Sequence, residues 1–114
     1  MFANLTMRPL DELEQTIADR AENPSAKSYT SQLLDGGVEV IGPKIIEEAT
    51  EVVEAAHEVG DAGREHFIHE IGDLIYHLMV LMQKRNCSLA DLEAELKRRS
   101  GVSGLVEKAS RKKA

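Results

Sequence analysis

The sequence predicts an all-α protein, an antiparallel helical bundle built on two long helices. Three observations carry this. Apolar residues recur at three- and four-residue spacing along most of the chain. No segment alternates apolar and polar residues as a half-buried strand does. The breaks fall at short stretches containing Gly, Pro or Asn. A chain of 114 residues fits one domain, with no internal repeat and no low-complexity tract.

Taken in order, Pro9 suits a first helical turn, and Leu10, Leu13, Ile17 and Ala21 follow at helical spacing. Asn23-Pro24-Ser25 ends that helix. Ser25 is the expected cap of a short second helix, Ala26 to Leu34, which Asp35-Gly36-Gly37 closes. Val38 to Ile41 reads as a helical turn interrupted by Gly42-Pro43. The first long helix is expected from about Pro43 to Val59, with Gly60 to Gly63 as the connection. The second is expected from about Arg64 to Arg85. Ser88-Leu89-Ala90-Asp91 has capping-box spacing, with Asp in place of Glu, and opens a last helix to about Arg99. The core is therefore expected over residues 8–99, followed by a loose basic tail over 100–114.

Composition excludes several classes. The net charge of −6 and the absence of Trp argue against binding nucleic acid by charge or by base stacking. One Cys rules out an internal disulfide framework and a cysteine zinc site. No apolar run reaches the ~20 residues of a membrane span. The first ten residues lack the apolar stretch of a secretory signal, so the expected location is the cytoplasm. From Glu95 to Ala114 seven Lys and Arg stand against two Glu, leaving the acidic surplus to the earlier part of the chain. Such a tail is usually a solvated terminus; its functional reading is help in attracting an anionic ligand.

The arrangement of acidic residues is more informative. On a helical wheel with Glu48 at zero, Glu51 falls at about 300°, and Ile45, Ala49, Val52, Val53 and Ala56 fill about 40° to 140°. With Glu70 at zero, Asp73 falls at about 300° and His77 at about 340°, beside the stripe of Phe67, Ile71, Leu74, Ile75, Leu78, Leu81 and Met82. Each long helix thus carries an i, i+3 carboxylate pair at the edge of its apolar stripe. Packing the stripes antiparallel brings the pairs face to face. One such pair is usually solvated surface; two in the same angular position point to a site. Four carboxylates near an apolar seam repel one another and favour a hard cation, Mg²⁺ or Mn²⁺.

Other candidates are weaker. Glu54 and His57 form a single Glu-x-x-His turned away from the acidic edge and read as surface. His66 and His69 read as exposed. His77 is either a ligand-contacting group or a half-buried polar residue. Cys87 has no base arranged near it in sequence. Met79 and Met82 read as core fillers.

The quoted pairs, Glu48-x-x-Glu51 and Glu70-x-x-Asp73, resemble the signature of the all-α nucleoside-triphosphate pyrophosphatase superfamily. Within it the chain is most similar to the phosphoribosyl-ATP pyrophosphatase branch. The residues that carry this are Ser28-Tyr29-Thr30, the run Lys44-x-x-Glu47-Glu48-Ala49-Thr50-Glu51-Val52, and Glu70-Ile71-Gly72-Asp73-Leu74-Ile75-Tyr76-His77-Leu78. Ser88-Leu89-x-Asp91-Leu92 adds to it, and the likeness spans about Ser25 to Arg99.

The resemblance implies Mg²⁺-dependent hydrolysis of phosphoribosyl-ATP to phosphoribosyl-AMP and pyrophosphate, an early step of L-histidine biosynthesis. It implies Glu48, Glu51, Glu70 and Asp73 as metal ligands and Glu47 as a base or outer-shell group. It places Lys44, Ser28, Tyr29, Thr30, Tyr76 and His77 around the substrate. Against this, the plain reading of Lys44 is an i, i+4 ion pair with Glu48; Tyr29 reads equally as a core ring with its hydroxyl at the surface, and Tyr76 as surface or a dimer contact. A homodimer is expected, because the apolar stripe from Phe67 to Met82 is wider than one partner helix covers. Two other functions fit the same residues: a house-cleaning nucleotide pyrophosphatase of the same fold, and a non-enzymatic helical protein that binds partners through its acidic seam.

Overall fold

The protein is described by a computed structural model over residues 7–101 and 104–113. Among these residues the chain forms six α-helices: α1 (Pro9–Glu22), α2 (Tyr29–Gly36), α3 (Val38–Ala55), α4 (Gly60–Lys84), α5 (Leu89–Arg99) and α6 (Gly104–Lys113). The all-α expectation holds. Pro9 opens α1 as its stripe suggested. The capping box of Ser88 and Asp91 opens α5, with each side chain accepting the other residue's backbone N–H. Leu89 N–H donates to Glu14 Oε2 at 2.7 Å and ties α5 to α1.

Several boundaries differ from expectation. The second helix starts at Tyr29, and its cap is Ser28, whose Oγ accepts from Ser31 N–H at 3.1 Å. Ser25 instead donates its backbone N–H to Ser31 Oγ and accepts from Lys27 N–H, which shapes the turn before the helix. Gly42-Pro43 does not break α3, which runs unbroken from Val38. Pro43 removes one backbone donor from the ladder. Fully buried Ile41 and partly buried Ile45 flank it on the core face and hold the helix together. Gly37, at φ 67°, links α2 to α3 in a conformation that favours glycine. The α3–α4 connection is Ala56 to Val59, the same length as expected but four residues earlier, and α4 already includes Gly60 to Gly63. Gly104–Lys113 is helical where a loose tail was expected; its sequence is mostly Leu, Glu, Lys, Arg and Ala, which are good helix formers.

The short connection makes α3 and α4 an antiparallel hairpin, the most extensive helix pairing among the described residues. One end of it is wrapped by α1, α2 and α5. There Ile17, Leu33, Leu34, Ile41, Met79, Val80 and Leu89 form the core, with Ile75, Leu81 and Met82 packed against it. Met79 and Met82 are core fillers, as expected. Toward the α3–α4 connection the hairpin runs on beyond that core. Its flanks expose Ile46, Val53 and Ile68, with Ile46 71% exposed.

Candidate active site

The acidic seam lies where the hairpin leaves the core. Glu48 and Glu51 come from α3 and Glu70 from α4, and one carboxylate oxygen of each lies within 4.8 Å of those of the other two. Glu70 also belongs to a second group, with His69 and Asp73, that meets the same limit. Glu70 is thus common to both groups and meets the α3 pair, while Asp73 is grouped with Glu70 and His69. Glu70 is buried, Glu48, Glu51 and Asp73 are half-buried, and His69 is exposed.

Electrostatically the cluster is incomplete. Among the described residues, Glu48 Oε2 and Glu70 Oε2 are buried and accept no hydrogen bond. An ionised carboxylate oxygen in that position is costly unless a cation or a donor meets it. The Glu48 carboxyl is held above its ordinary value by burial, then by Glu51 and Asp73, with His77 opposing. The Glu51 carboxyl is also raised, first because the nearby Glu70 carboxylate favours a proton held between them, then by burial and the Glu70 charge. Two orphaned oxygens within an all-oxygen donor set are what a hard divalent cation would complete, so the residues fit Mg²⁺ or Mn²⁺.

Histidines border the cluster. His66 Nδ1 is 2.8 Å from Glu58 Oε2, and its Nε2 is 3.1 Å from Glu70 Oε1. The hydrogen bond to Glu58, with the charges of Glu58 and Glu70, raises the His66 pKa. His69 Nε2 lies 3.4 Å from Asp73 Oδ2. Both histidines are exposed, as expected; what the sequence analysis misses is Glu58 and the contact of His66 with Glu70. The spacing of His66 to Glu70, one helical turn, was the available signal. Glu54 and His57 are exposed, as expected, and Cys87 is exposed as well.

One turn beyond Asp73, Tyr76 and His77 meet the segment that opens α2. His77 is 5% exposed; its Nδ1–H donates to the Asp73 carbonyl at 2.8 Å. In the neutral ring this leaves Nε2 to accept from the Tyr29 hydroxyl, 3.1 Å away. Thr30 Oγ1 hydrogen-bonds the Tyr76 hydroxyl. Tyr29 and Tyr76 stack with centroids 6.3 Å apart, and the His77 ring stands edge-on to both. Tyr29 and Thr30 are thus joined to Tyr76 and His77, while Ser28 serves as the cap of α2. Tyr29 is not a core ring: it is 48% exposed and borders an open groove of about 440 Å³ that Arg20, Lys27, Ser28 and Thr30 also line. Lys44 pairs with Glu47 at 3.6 Å, not with Glu48, and Glu47 is exposed.

A family model described as phosphoribosyl-ATP pyrophosphohydrolase matches residues 10–100. A phosphoribosyl-ATP pyrophosphatase of Rhodopirellula baltica is 56% identical over 106 residues, 93% of this chain and 88% of its own length. Phosphoribosyl-ATP pyrophosphatase 1 of Rhodopseudomonas palustris is 44% identical over 104 residues, 91% of this chain and 94% of its own. The phosphoribosyl-ATP pyrophosphatase of Neisseria meningitidis serogroup B is 41% identical over 102 residues, covering 90% and 92%.

Proposed function

The chain belongs to the phosphoribosyl-ATP pyrophosphohydrolase family, and from this we propose that it hydrolyses phosphoribosyl-ATP to phosphoribosyl-AMP and pyrophosphate in L-histidine biosynthesis, with Mg²⁺ held by Glu48, Glu51, Glu70 and Asp73. The observation that carries the metal assignment is the pair of buried, unpartnered oxygens, Glu48 Oε2 and Glu70 Oε2. When bound, the cation supplies neutralisation of the triphosphate charge and a more acidic water. The chain's own residues do the rest. The four carboxylates bind from two helices that the hairpin holds in fixed register. Lys44, beside Glu47, brings positive charge toward the phosphates, and Glu47 acts as base or outer-shell group.

Substrate selection falls to the residues around Tyr29. The hydroxyl of Tyr29 is oriented by His77, and that of Tyr76 by Thr30. Ser28, Arg20 and Lys27 line the adjoining groove and offer donors to the second ribose phosphate. A donor matched to that phosphate is worth ~1.5–3 kcal/mol, roughly a ten- to hundredfold preference. The test is steady-state pyrophosphate release at equal Mg²⁺ from phosphoribosyl-ATP, ATP, dCTP and dUTP. The expected result is a preference for phosphoribosyl-ATP that vanishes with chelator. Comparable efficiency on a free nucleotide moves the protein to the house-cleaning reading.

The exposed Ile46, Val53 and Ile68 beside the seam support a homodimer, in which a second hairpin covers the part of this one that the core leaves bare. Sedimentation as a dimer at micromolar concentration is the expected result; a monomer refutes it. Among the described residues no helix is long and apolar enough to cross a membrane. A cytoplasmic location suits a biosynthetic enzyme of this kind.

A further inference from the structure

The two oxygens of Glu70 are in different circumstances. Among the described residues Oε2 is buried and accepts nothing, whereas Oε1 lies 3.1 Å from His66 Nε2. A carboxylate hydrogen-bonded at one oxygen loses that bond if it turns, so the contact favours the observed direction of the other oxygen. The ring that holds it is anchored in turn, because His66 Nδ1 lies 2.8 Å from Glu58 Oε2. Glu58 belongs to the α3–α4 connection, so the chain Glu58–His66–Glu70 ties that connection to the middle of α4.

Gly63 lets the connection sit close enough. A Cβ at this position would lie 2.8 Å from the Glu58 carbonyl carbon and 3.0 Å from Glu58 Cβ, closer than side-chain carbons tolerate. The close approach keeps Glu58 beside the first turns of α4, where its carboxylate reaches His66.

We propose that His66 and Glu58 are positioning residues for the metal site: Glu58 fixes the imidazole of His66, which holds Glu70 Oε1 and so directs Glu70 Oε2 into the carboxylate cluster. The inference rests on the metal assignment made above. It concerns residues outside the four carboxylates, and neither is needed to supply a ligand atom. Groups that orient a metal ligand from behind commonly set affinity by about ten- to hundredfold.

The test measures binding of Mn²⁺ alone to the full-length protein, counting free Mn²⁺ by its paramagnetic resonance signal. His66→Ala weakens binding about tenfold or more. His66→Gln, whose amide reaches as far as Nε2, keeps the contact with Glu70 and recovers most of the affinity. His66→Asn, whose amide reaches only as far as Nδ1, behaves like Ala. Glu58→Gln weakens binding when His66 is present and adds nothing in the His66→Ala background. Helical circular dichroism and melting without metal confirm that each variant folds. If the wild type binds Mn²⁺ and His66→Ala matches it within about twofold, the inference is overturned while the metal site stands. Gln no better than Ala also overturns it. A wild type that binds no Mn²⁺ removes the metal assignment, and this inference with it.

Discussion

One turn apart on α4, the acidic cluster and the aromatic cluster are built on opposite terms. Around His77, polar groups find partners inside the protein: Nδ1 on the Asp73 carbonyl, Nε2 on Tyr29, and Tyr76 on Thr30. Around Glu70, like charges crowd together, two buried oxygens accept nothing, and the carboxyls of Glu48 and Glu51 are pushed upward. The first cluster is complete as folded and contributes to stability. The second carries unrelieved like-charge repulsion, and its geometry suits a cation that arrives from outside. Burial of polar groups does not by itself say which kind a cluster is; the tally of satisfied atoms does.

The contrast predicts opposite signs for mutations in the two regions. The largest effect is on turnover. Glu51→Gln removes a proposed ligand and lowers kcat/KM by about a thousandfold, as loss of several kcal/mol of charge stabilisation does. The same variant melts at the same temperature as wild type or higher without metal, because a repelling charge is gone. A metal-free melting point several degrees lower would make Glu51 structural and erase the contrast.

Next in size is the response to the cation. Mg²⁺ at a hundred times its dissociation constant stabilises the wild type by about 2.7 kcal/mol through linkage, seen as a rise in Tm that chelator reverses. Glu51→Gln responds far less. Equal wild-type melting with Mg²⁺ and with chelator would break the comparison.

The aromatic cluster should respond in the other direction and ignore the cation. Tyr29→Phe or Tyr76→Phe removes one hydrogen bond and lowers stability by about 1 kcal/mol, equally with and without Mg²⁺. Denaturant melts of the two variants in both conditions check this. Recovery of the lost stability by Mg²⁺ would show that the two clusters are coupled.

The smallest effect is the pH dependence of the metal-free protein. Glu48 and Glu51 titrate above their ordinary 4.5 in the fold. A carboxyl raised in this way binds protons more tightly folded than unfolded. Its contribution is full below 4.5 and is lost as pH rises through the folded value. The His66 imidazole, raised above 6.5, has the same sign over a higher window. Metal-free Tm should therefore rise as pH falls from about 7 toward 5, and saturating Mg²⁺ should flatten that slope. A metal-free Tm that falls over the same range would contradict the assignment of strain to the acidic cluster.

By itself the sequence determined the five helices up to Arg99 and the two acidic pairs, while the helix Gly104–Lys113 went unread. Helix periodicity, the opening proline Pro9 and the cap Ser88 act within a turn of the chain, so the sequence carries them in local form. The i, i+3 spacing of Glu48 with Glu51 and of Glu70 with Asp73 is local in the same sense, and so is their place at the edge of the apolar stripes. The breaks were less legible. Gly42-Pro43 looks like an interruption to any local rule, yet packing of Ile41 and Ile45 on the core outweighs one missing backbone donor. Only the tertiary structure decided which carboxylate oxygens are buried without partners, that Glu58 reaches His66 across a connection settled on Gly63, and that Thr30 and Tyr29 close on Tyr76 and His77. The physical reason is that a hydrogen bond requires approach within about 3 Å in a given direction. Between separate helices that approach depends on how the whole bundle packs, which spacing along one helix does not encode.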